Sequence, residues 1–218
     1  TSPPGTTELM ARIVAREAGL DCTQVHFAHA PERVLPGKVL REIVENDRII
    51  GGLDDAATQA CVAFYSTFVS GEIHTTGART AETAKLVENA YRDVNIAFAN
   101  ELSLLADELS LDVWELIRLA NRHPRVNILS PGCGVGGHCI AVDPWFLVHA
   151  APAVTRLIRT GREVNDFKPE WVVERVKKKA ARFKHPKVAC LGLAYKPDID
   201  DLRESPAVHV VERLLADI

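Results

Sequence analysis

The feature that most constrains this chain is a helical pattern that runs without interruption from Thr80 to about Leu109. Apolar side chains recur there at steps of three and four residues, which places them on one helix face; they are Ala84, Val87, Tyr91, Val94, Phe98, Leu102, Leu105 and Leu109. No proline or glycine interrupts the pattern, so a single helix of roughly 45 Å is predicted at about 1.5 Å per residue. A helix of this length with one apolar seam usually packs along another long helix, often that of an identical chain. We therefore predict a central helical domain that forms a homodimer.

A shorter helix follows within the same domain. Asp112 suits an N-cap, and Glu115 stands three residues later, as in a capping box. Pro124 ends this helix. The central part of the chain is therefore predicted to be all-helical.

The segments on either side of this domain combine helices and strands. Before it we predict a helix from Thr6 or Thr7 to Gly19, strands over 24–28 and 48–52, and a helix from Asp54 or Asp55 to Gly71. After it we predict a helix from Pro169 to Phe183, a strand over 188–193 and a helix that begins at Ser205. Such alternation favours doubly wound α/β domains. We expect three domains, over 1–76, 77–168 and 169–218, of which the first and third are partial.

The composition is that of an ordinary globular protein. The chain has 218 residues, 47% of them apolar and 25% charged, which excludes a disordered chain and a small disulfide scaffold. A formal charge of −3 provides no broad basic surface for nucleic acid, and no apolar run reaches the ~18 residues of a membrane span. The five cysteines are an odd number without a secretory signal, so we expect the reducing cytoplasm. Cys22, Cys61 and Cys190 are predicted to be small buried side chains.

The other two cysteines lie in a glycine-rich segment, SPGCGVGGHCIAVD, at 130–143. Gly132, Gly134 and Gly137 formally match the dinucleotide-binding pattern G-x-G-x-x-G, but that pattern requires a strand before it and a helix after it. Cys139 to Pro144 does not resemble a helix start, so this interpretation is disfavoured. We expect instead a loop that brings its backbone N–H groups close to a ligand and presents a thiol.

Three interpretations of Cys139 remain open: a nucleophile, a buried side chain in a tight turn, or a metal ligand. A nucleophile requires a thiolate, which nearby amides or a cation would stabilise. Metal binding is disfavoured, because Cys133, His138 and Cys139 have poor spacing for zinc.

Polar residues elsewhere also allow two interpretations. Lys85 and Asn89 share one face of the long helix, where they could stabilise an oxyanion or simply be solvated. Glu32 follows a predicted strand, where doubly wound folds place ligands, but it could equally be an ordinary loop acid. The charged loop over 194–204 could clamp phosphates or be solvated.

Five blocks spaced along the chain together resemble the UDP-glucose/GDP-mannose dehydrogenase family. They are TSPPGTTE, PERVLPGKVLREIVENDRIIGG, AETAKLVENAYRDVNIAFANEL, PGCGVGGHCIAVDPWFL and GLAYKPDIDDLRESP. The resemblance implies part of a Rossmann-like NAD domain, a long-helix dimerisation domain and the start of a second Rossmann-like domain that binds a UDP-sugar. The implied activity is a two-step, four-electron oxidation of a sugar 6-hydroxyl to a carboxylate with two NAD⁺. Several blocks look most like the branch that acts on UDP-N-acetylmannosamine.

The resemblance also implies roles for individual residues. Cys139 would be the nucleophile that forms a thioester, with Lys85 as the oxyanion cation and Asn89 and Asp143 as positioning groups. Glu32 would serve in general base chemistry. Thr1 and Arg203 would contact NAD. Substrate contacts would come from Arg33, Val34, His123, Arg125, Asn127, Gly132, Gly134, Gly136, Tyr195 and Lys196, with His123 and Arg125 reaching across the dimer.

Two departures from the family pattern limit these expectations. Pro36 stands where glucose-specific relatives have a second glutamate, which argues against simple glucose specificity. No glycine-rich cofactor motif precedes Thr1 and most of the UDP domain is not included, so we expect the chain alone to be inactive. The alternatives are a dehydrogenase for UDP-glucose or UDP-N-acetylglucosamine, a hydroxyacid dehydrogenase, a non-catalytic dimerisation module and a thiol redox sensor.

Overall fold

The computed structural model describes residues 1–21, 24–35, 37–195 and 200–217. The chain forms two compact units, Thr1–Glu88 and Asn89–Ile218. Eight helices and three strands occur among the described residues; they are α1 (Thr6–Ala18), β1 (Ala28–His29), α2 (Val39–Glu45), β2 (Arg48–Gly52), α3 (Asp55–Tyr65), β3 (Ile73–Gly77), α4 (Ala78–Glu108), α5 (Val113–Ala120), α6 (Asp143–Ala150), α7 (Arg156–Ala180) and α8 (Pro206–Asp217). The long central helix and the mixture of helices and strands agree with the sequence analysis.

The first unit contains a small mixed sheet in the order β1-β2-β3. Strand β1 is antiparallel to β2, and β2 is parallel to β3, with α3 as the crossover between them. Gly51 in β2 permits close packing, because a Cβ there would lie 2.5 Å from the carbonyl oxygen of Gly77. Strand β1 covers only two residues near the end of the predicted strand over 24–28, since only Ala28 and His29 pair with a neighbouring strand.

Helix α1 begins in an unexpected way. Its N-cap is Gly5, with a φ of 93°, and no side chain of the predicted caps Thr6 or Thr7 binds the helix end. Glu82 serves instead: its carboxylate accepts hydrogen bonds of 2.6 Å from the backbone N–H groups of Gly5 and Thr7. The prediction failed because this capping group lies far away in the chain. The predicted end at Gly19 is confirmed by its left-handed φ of 64°.

The second unit is built on the part of α4 that follows Glu88 and on α7, which packs against α6 and α8. Asp112 caps α5 as predicted, since its Oδ1 accepts from the N–H of Trp114 at 2.9 Å. Val173, Val210 and Leu214 form an apolar core between α7 and α8.

A buried ion pair joins α4 to α7. Arg162 Nη1 donates to Asp93 Oδ1 at 2.6 Å, and the two side chains are 1% and 0% exposed. Asn165 Nδ2 donates to the same carboxylate oxygen and to the backbone carbonyl of Asp93. Burial raises the pKa of Asp93, and the Arg162 guanidinium and the Asn165 amide oppose that rise. Gly161 lets the helices approach closely, because a Cβ there would lie 3.2 Å from Val94 Cγ2.

Four predictions for the second unit were wrong. Pro169 lies inside α7 rather than at its start, since the helix begins at Arg156 and tolerates the lost N–H. The segment over 188–193 forms no strand, because it has no ladder partner among the described residues, and Cys190 is exposed rather than buried. Helix α6 does begin at Asp143, with Pro144 in its first turn, where a missing N–H costs nothing.

Helix ends elsewhere differ by a few residues from the predictions. Helix α3 has Asp54 as its N-cap, as predicted, but it ends at Tyr65 rather than at Gly71. The helix predicted from Ser205 is confirmed as α8. Within the described ranges, no helix has the length and apolar character that crossing a membrane requires.

Replacing Arg162 by Met should destabilise the second unit by about 3–5 kcal/mol, because Asp93 would keep a buried charge without its cation. The free energy of unfolding in urea measures this loss. The double variant Arg162→Met/Asp93→Asn should recover much of the loss, since it removes the uncompensated charge. Equal losses in the single and double variants would contradict this explanation.

Lys168 should make stability depend on pH. Burial lowers its pKa from 10.5 to about 8, against the attraction of Cys133 and Asp107. The unfolded chain then binds the proton more tightly than the folded chain, so the contribution of Lys168 to stability rises between about pH 8 and 10.5. Urea unfolding at several pH values should show wild type gaining stability relative to Lys168→Met across this window.

Lys178→Met is the matched control, because Lys178 lies exposed on the same helix. Its difference from wild type should stay constant over the same pH range. A constant difference for Lys168→Met as well would show that Lys168 titrates normally in the folded chain.

Candidate functional site

Cys139 lies in the turn directly before α6. Its carbonyl oxygen accepts from the N–H groups of Val142 and Asp143, at 3.0 and 2.8 Å, and its side chain is half-buried. Asp143 is the first residue of α6 and is 2% exposed. The turn therefore couples the position of the thiol to the start of a helix.

Asn89 on α4 holds this helix start. Its Nδ2 donates to Asp143 Oδ2 at 2.5 Å, and both side chains are buried. The structure thus brings together Asn89 and Asp143, two residues that are 54 positions apart in the chain. Lys85 precedes Asn89 by one turn of the same helix.

The glycines of the loop are required by packing inside the protein. A Cβ at Gly134 would lie 2.9 Å from Pro206, and one at Gly136 would lie 2.5 Å from the carbonyl oxygen of Glu204. A Cβ at Gly137 would lie 2.9 Å from the ring of Tyr195. By contrast, Gly132 is exposed, and a Cβ there would meet only Gly134 O, at 3.9 Å. We predicted that these glycines allow a ligand to approach, but close packing against Tyr195, Glu204 and Pro206 already accounts for three of them.

Arg203 lies close to this loop. Its carbonyl oxygen accepts from the N–H of Gly137 at 3.2 Å, and its guanidinium forms two-point hydrogen bonds with Asp201. The hydrogen bond to Asp201 raises the pKa of Arg203. Lys196 and Pro36 lie outside the described residues.

Glu32 in the first unit is held by two groups. Its Oε2 accepts from Arg48 Nη1 at 3.0 Å, and its Oε1 accepts from the N–H of Arg33 at 2.7 Å. Arg48 is itself 3% exposed, so Glu32 supplies the countercharge of a buried guanidinium. These two hydrogen bonds fix the Glu32 carboxylate, and the Glu32 side chain remains about half exposed to solvent.

Glu88 brings Arg33 and Lys85 together. Arg33 Nε lies 2.8 Å from its carboxylate, and Lys85 Nζ lies 3.8 Å from it. Val34 is half-buried beside Arg33. A cavity of about 440 Å³ adjoins this cluster and is lined by Arg33, Asp47, Ile49, His74, Thr75, Thr76, Thr80 and Ala84.

The remaining candidate residues are exposed. His123, Arg125 and Asn127 belong to a loop that Asn121 closes from both sides, by accepting from Ile128 N at 2.7 Å and donating to Ile128 O at 2.9 Å. Thr1 is also exposed, and the neighbouring Ser2 hydroxyl is buried without a hydrogen-bond partner.

Cys133 faces a different environment from Cys139. It lines a cavity of about 380 Å³ together with Lys168 and Trp171, whose ring lies 4.1 Å from Lys168 Nζ. Burial raises the pKa of the Cys133 thiol. No group of three or more metal-ligating side chains occurs in the part of the chain that the structure describes.

Sequence reasoning missed Asn100, which reaches the glycine loop from α4. Its Oδ1 accepts from the N–H of Gly132 at 2.8 Å, and its side chain is fully buried. A signal was present in the sequence: Asn89, Asp93 and Asn100 are separated by four and seven residues, which places three polar residues on one helix face.

Comparison with known proteins places these observations in a family. Three profiles of the UDP-glucose/GDP-mannose dehydrogenase family match in order: the NAD binding domain at 1–69, the central domain at 79–167 and the UDP binding domain at 189–217. Together they cover most of the chain.

Individual relatives agree with the profiles. The chain is 58% identical to a UDP-N-acetyl-D-mannosamine dehydrogenase of Campylobacter jejuni, over 100% of this chain and 55% of that protein. It is 59% identical to an NDP-N-acetyl-D-galactosaminuronic acid dehydrogenase of Ralstonia solanacearum, over 99% of this chain and 53% of that protein. A solved UDP-D-ManNAc dehydrogenase from Pyrococcus horikoshii superposes with a TM-score of 0.90 at 45% identity, over 99% of this chain and 53% of that one.

The chain thus spans about half the length of the relatives it matches. Its order of domains, its long central helix and its sequence agree with theirs along that whole span. The chain belongs to the UDP-glucose/GDP-mannose dehydrogenase family.

Proposed function

We propose that this chain is part of an NAD-dependent 6-dehydrogenase that oxidises UDP-N-acetylmannosamine to the corresponding uronate. The observation that carries the proposal is the turn at Cys139, whose end is anchored by the buried pair of Asn89 and Asp143. A thiol carried on an anchored turn suits the oxidation of an aldehyde through a thioester. The names of the relatives support the same chemistry.

The chemistry assigns a separate task to each group. The sugar C6 hydroxyl must lose a proton and become an aldehyde, and Glu32 is the proposed base for this step, held in place by Arg48. The Cys139 thiolate then adds to the aldehyde carbon and gives a thiohemiacetal, while Lys85 stabilises the negative oxygen. Oxidation of that adduct leaves a thioester, which water cleaves to the carboxylate and the free thiol. Asn89 and Asp143 would hold the loop and orient this water.

NAD would accept a hydride from the sugar carbon in each of the two oxidations. The residues that would hold it are Thr1 and Arg203. The exposed Thr1 and the unpartnered Ser2 hydroxyl provide polar groups that suit a ligand at the start of α1. The N-terminal amides of α1 would not bind its phosphates, because Glu82 already occupies the N–H groups of Gly5 and Thr7.

The names of the relatives bear on which sugar is oxidised. Identity is 58% to a relative named for mannosamine and 59% to one named for galactosaminuronic acid, so overall similarity does not separate the two sugars. Both names describe N-acetylated hexosamines, which favours this class over UDP-glucose. We propose that Arg33, Val34, Asn127, Gly132, Gly134, Gly136, Tyr195 and Lys196 contribute to the substrate site.

The domain limits remain our proposal: NAD domain over 1–76, dimerisation domain over 77–168 and UDP domain from 169. We also propose the cytoplasm as the site of action. The four cysteines that the structure describes, Cys61, Cys133, Cys139 and Cys190, are free thiols, as expected in a reducing compartment.

A homodimer through α4 is supported by the exposure of its apolar seam. Tyr91 is 70% exposed and Phe98 is 53% exposed, and Val87, Leu105 and Leu109 are similarly uncovered. A second copy of α4 would remove these side chains from water. The exposed loop with His123 and Arg125 is available to reach a partner chain, in line with the role that we expect for it.

A non-catalytic dimerisation module is the second candidate function. It is favoured by the exposed apolar seam of α4. A module of this kind would dimerise but would not depend on Cys139. The two experiments below therefore separate the candidates.

Replacing Cys139 by Ser in the enzyme that contains this chain should reduce carboxylate formation by at least ~100-fold, because a hydroxyl is a far weaker nucleophile than a thiolate. Product analysis with NADH measurement tests this for UDP-N-acetylmannosamine, UDP-N-acetylglucosamine and UDP-glucose. Cys133→Ser is the matched control in the same loop and should retain activity. Full four-electron turnover by Cys139→Ser would refute the thioester route.

Replacing Phe98 by Glu should dissociate the dimer, because two charges would face each other across an apolar seam. Sedimentation velocity of the chain should show a monomer, with little change in thermal stability, since Phe98 is half exposed. Arg92→Glu introduces the same side chain on an exposed face of α4 outside the seam and should remain dimeric. A monomeric wild-type chain at micromolar concentration would contradict the proposed dimer.

A further inference from the structure

A continuous chain of buried hydrogen bonds leads from α7 through α4 to the glycine loop. Arg162 donates to Asp93 at 2.6 Å, and Asn165 donates to the same carboxylate at 2.8 Å. Asn100 Nδ2 donates to Asn165 Oδ1 at 2.8 Å, and the N–H of Gly132 donates to Asn100 Oδ1 at 2.8 Å. The four side chains in this chain of bonds are at most 1% exposed.

The direction of every bond in this chain follows from the charge at one end. Ionised Asp93 can only accept, so Asn165 must turn its NH₂ group towards Asp93 and its oxygen towards Asn100. Asn100 must then turn its NH₂ group towards Asn165, which leaves its oxygen facing Gly132. The Arg162–Asp93 pair therefore sets the orientation of the Asn100 amide.

Helix α4 holds the loop at both ends. Asn100 binds Gly132 near the start of the loop, and Asn89 binds Asp143 at its end. The two asparagines are eleven residues apart, which is about three helical turns, or roughly 16 Å, on the same face. Cys139 lies between the two anchored positions, so both anchors restrict where its thiol can lie.

We propose that Asn100 is a positioning residue, oriented by Arg162 and Asp93 through Asn165, that fixes Gly132 and thereby the loop that presents Cys139. The effect of Asn100 on catalysis rests on the proposed function. Its structural role in holding the loop does not. Asn100 touches neither the thiol nor the reacting atoms, and it acts through the backbone of the loop.

The first test is Asn100→Ala. This variant leaves the contacts of Asp93 with Arg162 and Asn165 in place but removes the acceptor of the Gly132 N–H. Hydrogen exchange in peptides over 129–135 should accelerate at least ~10-fold, whereas exchange in the rest of α4 and in α7 should stay close to wild type. In the complete enzyme, kcat should fall about 10- to 100-fold with KM changed less than about twofold, because the loop is misplaced rather than lost.

The matched control is Asn95→Ala. Asn95 lies on the same helix, and its Nδ2 donates to the carbonyl of Tyr91 one turn earlier. This variant removes an asparagine amide from α4 without touching the loop. Its loop exchange and its kinetics should match those of wild type.

The variant Asn100→Asp makes the hydrogen bonds of residue 100 depend on pH. A protonated carboxyl can reproduce both bonds, with its O–H donating to Asn165 and its C=O accepting from Gly132. Ionisation removes the donor and leaves the carboxylate facing Asn165 Oδ1, acceptor against acceptor, which should displace the side chain from Gly132. Loop protection and kcat should therefore be present at low pH and be lost as pH rises through the pKa of this carboxyl. The charged or titratable groups around this position are Asp93 on α4, Arg162 and Lys168 on α7 and Cys133 in the loop.

Three results would overturn the proposal. One is unchanged exchange over 129–135 in Asn100→Ala; another is equal acceleration throughout α4 and α7, which would indicate general loosening. The third is an Asn100→Asp variant whose loop protection does not recover at low pH. If the complete enzyme oxidises no UDP-sugar, the proposed function fails, and the exchange measurements still decide the role of Asn100.

Discussion

The buried ion pair between Arg162 and Asp93 is the interaction on which the second unit depends. Two charges in a nearly water-free position lose several kcal/mol of hydration each, so they persist only where close ion pairing and hydrogen bonds offset that loss. Asn165 supplies two further hydrogen bonds to Asp93. This requirement makes the pairing of α4 with α7 specific in register, because a shift by one residue would leave a buried charge without its partner.

In the second unit, helix α4 carries three buried polar side chains along one face, Asn89, Asp93 and Asn100. Their spacings of four and seven residues place them on nearly the same side of the helix, at about 100° per residue. Each of the three holds a different segment: the start of α6, helix α7 and the glycine loop. One uninterrupted helix therefore positions three segments of the second unit.

The candidate site shows how the chain combines packing with chemistry. Gly134, Gly136 and Gly137 have no room for a side chain because Tyr195, Glu204 and Pro206 pack against them. Glu32 is held by the buried Arg48, a use of the carboxylate that its position after a strand did not indicate. In both cases the residue type that suggested ligand chemistry is also required by packing or charge inside the fold. Residue type alone therefore could not distinguish a ligand-binding role from a structural role.

The sequence by itself determined the long helix, the cap at Asp112, the family and the candidate residues, because these follow from local periodicity and from spaced motifs. It could not predict the Glu82 cap of α1, the pairing of Asn89 with Asp143 or the contact of Asn100 with Gly132, since their partners are 75, 54 and 32 residues apart. It also placed a strand over 188–193, where the described chain offers no ladder partner. Only tertiary structure decides such contacts, because a buried polar group is stable wherever a partner lies in space, at any distance along the chain.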